Sequence, residues 1–329
     1  MASSLLVTEN LTVGYGRRSL FSELSVALRS GIFVCLIGAN GTGKSTLLRT
    51  LAGLAKPLAG KVRLGGEDLY GLSPQQRAKR LSLVLTERVE LDWMSVTELV
   101  ALGRYPYTSW QGRLSQADWG IVQAAIATVG LEPLQEKSIT QISDGERQKA
   151  MIARALAQQT NLMLLDEPTA YLDLPRRVET MQLLRTLAHT QNRTILMSTH
   201  DLDLALRSAD QLWLITSAGN LVVGTPEELV LQGYLGETFS SDAFQFDTES
   251  GQFQLKYERR SPIICEGVGL TALWTKRALT RLGFAPVETG TDLHLKITDN
   301  PAQWQLVEGD RQWNFQSLGE LTDHLQALQ

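Results

Sequence analysis

The stretch "GIFVCLIGANGTGKSTLLRTLAGL", residues 31–54, decides the fold. Its opening "IFVCLI" is a continuous apolar run without alternation, the pattern of a strand covered on both faces. Its closing part, from Lys44, has helical periodicity and ends at Gly53. Between them "GANGTGKST", residues 38–46, satisfies the spacing G-x-x-x-x-G-K-[ST]. A buried strand, a glycine-rich turn and a helix in that order bring free N–H groups and a positive helix end to one point. The stretch therefore predicts a phosphate-binding loop. Gly38, Gly41 and Gly43 allow backbone angles that direct successive N–H groups at phosphate oxygens. Lys44 supplies charge for the β- and γ-phosphates, and the Ser45 hydroxyl a ligand for Mg²⁺. Asn40 and Thr46 belong to the same binding segment.

Two further apolar runs, "NLMLLDEP" (161–168) and "RTILMST" (193–199), read as buried strands. Helical patterns over 145–158, 175–190 and 202–208 alternate with them, which predicts a mostly parallel α/β sheet. Asp166 ends the first of these strands, where it can bind Mg²⁺ through water, and Glu167 beside it can orient or deprotonate an attacking water. A strand that merely ends in two solvated carboxylates is the plainer reading of "DE", and the phosphate loop is what tips the balance. His200, in "STHD", follows the second strand and so falls on the carboxyl edge where ligands of open α/β sheets bind.

A chain of 329 residues exceeds what one core usually supports. Residues 5–13 and 20–28 alternate like half-buried antiparallel strands, and about 87–158 is a helical insertion. Residues 1–235 read as one α/β domain. Residues 236–255, polar and weakly periodic, read as a linker holding one short strand. Residues 256–329 read as a small α+β domain of order βαβββ(β)α. The composition, 43% hydrophobic and 20% charged, is that of a globular protein, and the net charge of −4 gives no reason to expect nucleic acid as a partner. Cys35 and Cys265 are the only cysteines, which suits a reducing compartment. No apolar run approaches the roughly 20 residues needed to span a bilayer, so any service to a membrane is expected to go through a partner.

"QISDGERQKAMIARAL", residues 141–156, has two readings. Ser143 followed by Glu146 ahead of an apolar run is a capping box at an ordinary helix start. The same helix N-terminus is also a place to hold an anion.

The ordered set Tyr15, "GANGTGKS", "ISDGERQ", "LMLLDEP", "AYLD" and "STHD" resembles the ATP-binding subunit of ABC transporters over roughly residues 1–235. The resemblance implies a P-loop NTPase fold of α/β class, with an antiparallel β subdomain, a helical subdomain and here an added C-terminal α+β domain. It implies ATP and Mg²⁺ as cofactors, with Tyr15 stacking on adenine and His200 contacting the γ-phosphate. Ser143 and Gly145 would contact the γ-phosphate of ATP bound to the opposite subunit, and Asp173 would lie at the interface. A homodimer sharing two ATP sites would sit on the cytoplasmic face of the membrane against permease subunits, with a periplasmic or lipoprotein substrate-binding protein acting indirectly. Two departures stand out. The family's usual Gln before the helical insertion is replaced by "LTE", where Thr86 aligns best and Glu87 offers an oxygen to Mg²⁺ after a one-residue shift. In the signature, Asp144 and Glu146 replace the commoner Gly and Gln, and their carboxylates suit a triphosphate only if they turn away or pair with a base such as Arg147.

Residues 95–118, "SVTELVALGRYPYTSWQGRLSQAD", resemble the segment found in importers of iron chelates, haem and cobalamin, the Gly103-Arg104-Tyr105-Pro106 run most of all. A helix ended by a proline-containing turn explains the same residues. The implied function is ATP hydrolysis driving uptake of a metal chelate. The alternatives are a nucleotide-gated module not coupled to transport, or import of another substrate class. A DNA-repair type of ATPase lacks its basic surface. In residues 256–329, eight Lys/Arg stand against nine Asp/Glu. Trp274, Trp304 and Trp313 suit a core better than a pocket, Cys265 and His294 are too isolated for a metal, and a regulatory or dimer-bracing role is expected.

Overall fold

The computed structural model describes residues 4–86, 93–108, 112–248, 251–255 and 261–327. In chain order it begins with β1 (Ser4–Tyr15), β2 (Arg18–Leu24), β3 (Ala27–Arg29) and β4 (Phe33–Ile37), then α1 (Lys44–Leu51). Strands β5 (Ala59–Leu64) and β6 (Glu67–Asp68), helix α2 (Pro74–Ala78) and strand β7 (Leu81–Val84) follow. The helical insertion holds α3 (Val96–Ala101), a 3₁₀ turn over Leu102–Tyr107, α4 (Gln116–Thr128) and α5 (Asp144–Ala157). Then come β8 (Leu162–Asp166), α6 (Leu174–Thr190), β9 (Thr194–Ser198), α7 (Leu202–Ser208), β10 (Gln211–Ile215) and β11 (Leu221–Gly224). Helices α8 (Pro226–Leu231) and α9 (Tyr234–Phe239) lead to β12 (Phe244–Asp247) and β13 (Gln252–Leu255). The last segment holds β14 (Ser261–Glu266), α10 (Gly269–Arg281), β15 (Phe284–Val287), β16 (Leu293–Asp299), β17 (Ala302–Glu308), β18 (Arg311–Phe315) and α11 (Leu318–Ala327).

The central sheet has the order β11-β10-β4-β9-β8-β7, and every pair in it is parallel except β10–β11. Its three central strands, β4, β9 and β8, are buried at every position, for a reason the alternation makes plain. Val34, Leu36, Leu164, Leu196 and Trp213 face one core, shared with Leu6, Leu11 and Val13 of β1 and with Leu47, Leu48 and Leu51 of α1. Phe33, Cys35, Ile37, Leu165 and Met197 face a second core, shared with α3, α4, α5 and α6. A strand with a core on each side leaves no polar face, hence the unbroken apolar runs. Strand β1 pairs antiparallel with β2, β3 and β5 in a separate sheet, where burial alternates as the sequence pattern predicts.

The α-helices α3, α4 and α5 of the insertion each begin with a complete capping box, at Ser95, Ser115 and Ser143. The segment Gly103-Arg104 is explained by packing. A Cβ on Gly103 would lie 2.2 Å from the Arg154 carbonyl oxygen of α5. Arg104 is 5% exposed. It donates to the Asp118 carboxylate at 2.9 Å and to the Ala157 carbonyl at 2.8 Å, and its guanidinium lies 4.0 Å from the centre of the Tyr107 ring. Tyr105 beside it is 73% exposed.

The chain forms two compact units, Met1–Ser240 with Phe246–Gln252, and Ser241–Gln245 with Phe253–Gln329. Residues 236–255 are more structured than the linker read from their composition. Helix α9 runs to Phe239, and β12 and β13 form a two-stranded sheet. Phe246 is buried, and Phe244 meets Phe253 edge to face at 5.6 Å. Polar neighbours hide that short apolar alternation in the sequence.

The second unit has the sheet order β15-β14-β16-β17-β18, with β14 parallel to β15 and β16. Its core includes Ile263, Leu279, Leu295, Trp304, Leu306 and Leu321. Buried Trp304 donates its indole N–H to Thr275 at 2.7 Å. Trp274 is 52% exposed and lies under the Arg277 guanidinium. Among the described residues no group of three or more His, Cys, Asp or Glu could hold a metal.

The close approach at Gly103 gives a direct test. Gly103→Ala must push the 3₁₀ turn away from α5, at a cost of about 1–3 kcal/mol. The expected result is a lower urea midpoint with unchanged slope; an unchanged midpoint would mean that the two segments separate freely.

Candidate functional site

The carboxyl ends of β4, β8 and β9 meet at one edge of the central sheet, as open α/β sheets require of a ligand site. A cleft of about 370 Å³ opens there, lined by Tyr15, Asn40, Gly41, Gly43, Lys44, Ser45, Thr46, Glu167 and His200. The turn from β4 into α1 depends on its glycines. Gly41 and Gly43 have φ of 77° and 99°, in the left-handed region. A Cβ on Gly43 would lie 2.9 Å from Leu20, and one on Gly38 would lie 2.9 Å from Ile215.

Lys44 is 5% exposed and curls over the turn, donating to the Gly38 carbonyl at 2.8 Å and the Ala39 carbonyl at 3.0 Å. Burial pushes its ammonium below the ordinary value of 10.5, while the Glu167 and Asp166 carboxylates pull it up. The Ser45 hydroxyl donates to Asp166 Oδ1 at 3.0 Å. The Ser198 hydroxyl, fully buried, donates to the same oxygen at 2.7 Å. Among the described residues Oδ2 of Asp166 carries no hydrogen bond. The Thr86 hydroxyl donates to the Asp166 carbonyl at 2.7 Å, which brings the end of β7 to the same point.

Glu167 leaves β8 with φ of 49°, a left-handed turn unusual outside glycine and asparagine. Its N–H donates to Ser198 Oγ at 2.9 Å, and its carboxylate is hydrogen-bonded to His200 Nε2. Tyr15 is 60% exposed, with its hydroxyl bonded to that of Thr46. Ser45, Asp166 and Thr86 together offer only hard oxygen donors, a set that fits Mg²⁺. Glu87, the other candidate at this position, lies outside the described residues.

Ser143, Gly145 and Asp173 do not line this cleft. Ser143 caps the 14-residue helix α5. Its N–H and its hydroxyl both donate to Glu146 Oε2 at 2.8 Å. Asp144 pairs with Arg147 at 3.3 Å. The two carboxylates of the signature are therefore engaged within their own helix start. Asp173 caps α6 by accepting from the Arg176 N–H at 3.0 Å. Among the described residues nothing requires a glycine at 145, since a Cβ there would meet only Arg176 at an ordinary 3.5 Å.

Comparison with known proteins follows the same division of the chain. A family profile described as "ABC transporter" matches residues 21–170, and one described as "Iron ABC transporter C-terminal domain" matches residues 260–326. An uncharacterized ABC transporter ATP-binding protein of Methanocaldococcus jannaschii is 40% identical over 267 residues, 80% of this chain and 92% of the relative. This chain belongs to the ABC transporter ATP-binding proteins. The petrobactin import ATP-binding protein FpuD of Bacillus anthracis is 38% identical, over 71% of this chain and 86% of its own length. Among solved structures, an ABC transporter described as of metal-chelate type, in an inward-facing conformation, is 28% identical with a TM-score of 0.64. It covers 72% of this chain and 89% of that one.

As a member of that family this ABC ATPase binds ATP. Of the residues singled out in the sequence, the cleft brings together Tyr15, the 38–46 loop, Glu167 and His200, with Asp166 and Thr86 at its base. Sequence reading missed Ser198. The available signal was a hydroxyl closing a buried strand two residues before His200.

The capping box of this ABC ATPase has a consequence for acid stability. The Ser143 N–H, then its hydroxyl, hold the Glu146 carboxyl below its ordinary value of 4.5. A depressed folded value means that the stabilisation is complete above pH 4.5 and fades as pH falls through the folded value. Glu146→Gln keeps the reach but not the charge. Wild type should melt above the variant at neutral pH, the gap closing in acid; a gap independent of pH would assign it to packing.

Proposed function

We propose that this chain energises an importer of metal chelates, such as ferric siderophores, haem or cobalamin, by hydrolysing ATP beneath a membrane permease. The observation that carries the substrate class is the match of residues 260–326 to an iron-transporter C-terminal domain, and the petrobactin-import relative agrees with it. No helix among the described residues is long and apolar enough to cross a membrane, so the pathway itself belongs to another subunit. The insertion exposes Trp93, Leu102 and Tyr105, apolar surface suited to such a permease partner at the cytoplasmic face. A substrate-binding protein outside the membrane would act indirectly. Residues 256–329 lie outside the ATPase machinery, as a regulatory or dimer-bracing domain.

In this reading the chain's own groups divide the work. The N–H groups of the 38–46 loop and the positive end of α1 cradle the phosphates. Lys44 releases its two loop carbonyls to pair with β/γ-phosphate oxygens. Ser45, Asp166 and Thr86 would hold Mg²⁺, which supplies neutralisation of charge on the phosphates when bound. Glu167 accepts the proton of the attacking water, and His200, already bonded to that carboxylate, contacts the γ-phosphate. Tyr15, exposed at the rim, offers its ring to adenine. Ser143, Gly145 and Asp173, absent from the cleft of their own chain, serve the cleft of a second copy, so that two copies share two ATP molecules. A glycine that its own fold does not require supports an approach from outside.

Lys44→Ala is expected to weaken ATP binding about 10-fold or more, since a buried charge-assisted partner is lost. Glu167→Gln should keep ATP binding and lower turnover about 10²–10⁴-fold; hydrolysis at the wild-type rate would remove Glu167 as the base. With the co-purified permease in proteoliposomes, a metal chelate delivered by its binding protein should stimulate hydrolysis. Stimulation by a sugar or amino acid alone would overturn the substrate class.

A further inference from the structure

Asp166 and Glu167 are adjacent in sequence yet must act on different things, a cation and a water, and nothing in their own strand keeps them in register. The parallel ladder between β8 and β9 stops at the pair Asp166↔Ser198. Beyond it Glu167 turns into the left-handed region, so its N–H leaves the ladder and needs another acceptor. Ser198 provides it. The side chain has 0% exposure, and one hydroxyl is used in both directions: it accepts from the Glu167 N–H at 2.9 Å and donates to Asp166 Oδ1 at 2.7 Å. Ser45, from the phosphate loop, donates to that same oxygen at 3.0 Å. Oδ1 is thereby fixed by two hydroxyls, and the rotation of the carboxylate fixes Oδ2 as the oxygen without a donor among the described residues.

We propose that Ser198 is a positioning residue that locks the Asp166 carboxylate and the Glu167 turn into one geometry, so that cation binding and water activation are set together by a single buried hydroxyl. It does not line the cleft, and acts only through its two neighbours. Without it the partly buried Glu167 N–H loses its acceptor, and Asp166 Oδ1 keeps only the Ser45 hydroxyl. A group that orients a metal-binding carboxylate typically changes metal affinity or activity by about 10- to 100-fold when removed. The inference rests on the assignment of Asp166 and Glu167 made above.

The experiment compares the full-length wild type with Ser198→Ala, Ser198→Thr and Ser198→Cys. It measures binding of a fluorescent non-hydrolysable ATP analogue in EDTA and across a Mg²⁺ titration, turnover against Mg²⁺, and the thermal midpoint. For Ser198→Ala, affinity in EDTA should be unchanged, while the Mg²⁺ concentration giving half-maximal tightening rises about 10-fold and turnover falls about 10- to 100-fold. Ser198→Thr restores the hydroxyl and should recover both. If its extra methyl prevents folding, Ser198→Cys, with a weak donor of similar size, should behave like Ser198→Ala. A folded Ser198→Ala with wild-type Mg²⁺ dependence and turnover overturns the proposal, even if its thermal midpoint drops, because that is a packing effect only. Glu167→Gln run alongside separates the two levels. If it is inactive while Ser198→Ala is normal, only the positioning role falls; if it turns over normally, the assignment of the site falls with it.

Discussion

The Asp166 carboxylate is the junction on which this ATPase domain is built. One of its oxygens receives hydroxyls from the loop after β4 and from the end of β9, and its backbone carbonyl receives the hydroxyl after β7. Three connections of the sheet are thus tied to one residue that is itself 3% exposed. A buried carboxylate is costly unless its oxygens are paired, and here the pairing groups are the segments that must meet a nucleotide. The phosphate loop, the proposed cation ligands and the glutamate proposed to activate water therefore hold fixed positions before any ligand arrives.

The same two-sided burial that makes the inner strands uniformly apolar pushes all polar function to their carboxyl ends. Cys35, fully buried in β4, illustrates the rule from the opposite side: desolvation, with the Asp210 carboxylate adding to it, pushes its thiol well above the ordinary value, and it serves as a small core residue. In the helical insertion the corresponding anchor is Arg104. Its guanidinium closes the end of α5 and is held in turn by Asp118, whose carboxyl is kept low first by the Ser115 hydroxyl. Gly103 and Arg104 are accounted for by packing within the insertion, whereas Tyr105, between them and Pro106, is exposed.

The signature helix settles a question its sequence leaves open. Ser143 and Glu146 do form a capping box, so the structural reading holds. Capping and anion binding are compatible at one helix end, because the box turns the Glu146 carboxylate back onto Ser143 and Arg147 takes Asp144. Arg147 offsets the Asp144 charge, while the ionised Glu146 carboxylate stays at the helix start, bonded to Ser143.

Local chemistry determined much of this protein. The spacing of residues 38–46 between a two-sided apolar run and a helix dictates a phosphate loop, because only that order aligns glycine turns, amide groups and a helix end. Residue pattern likewise marked the buried strands of the sheet's middle, the capping box at Ser143 and the order of elements after residue 261. Tertiary structure decided what depends on partners distant in sequence. It paired Phe244 with Phe253 in a segment that reads as linker, and closed Gly103 against Arg154. It also set Ser198 between the Asp166 carboxylate and the Glu167 N–H, some thirty positions earlier, as the β8–β9 register requires. A hydroxyl at the end of an apolar strand has no local signature of purpose, since its meaning lies in the neighbouring strand that the ladder brings beside it.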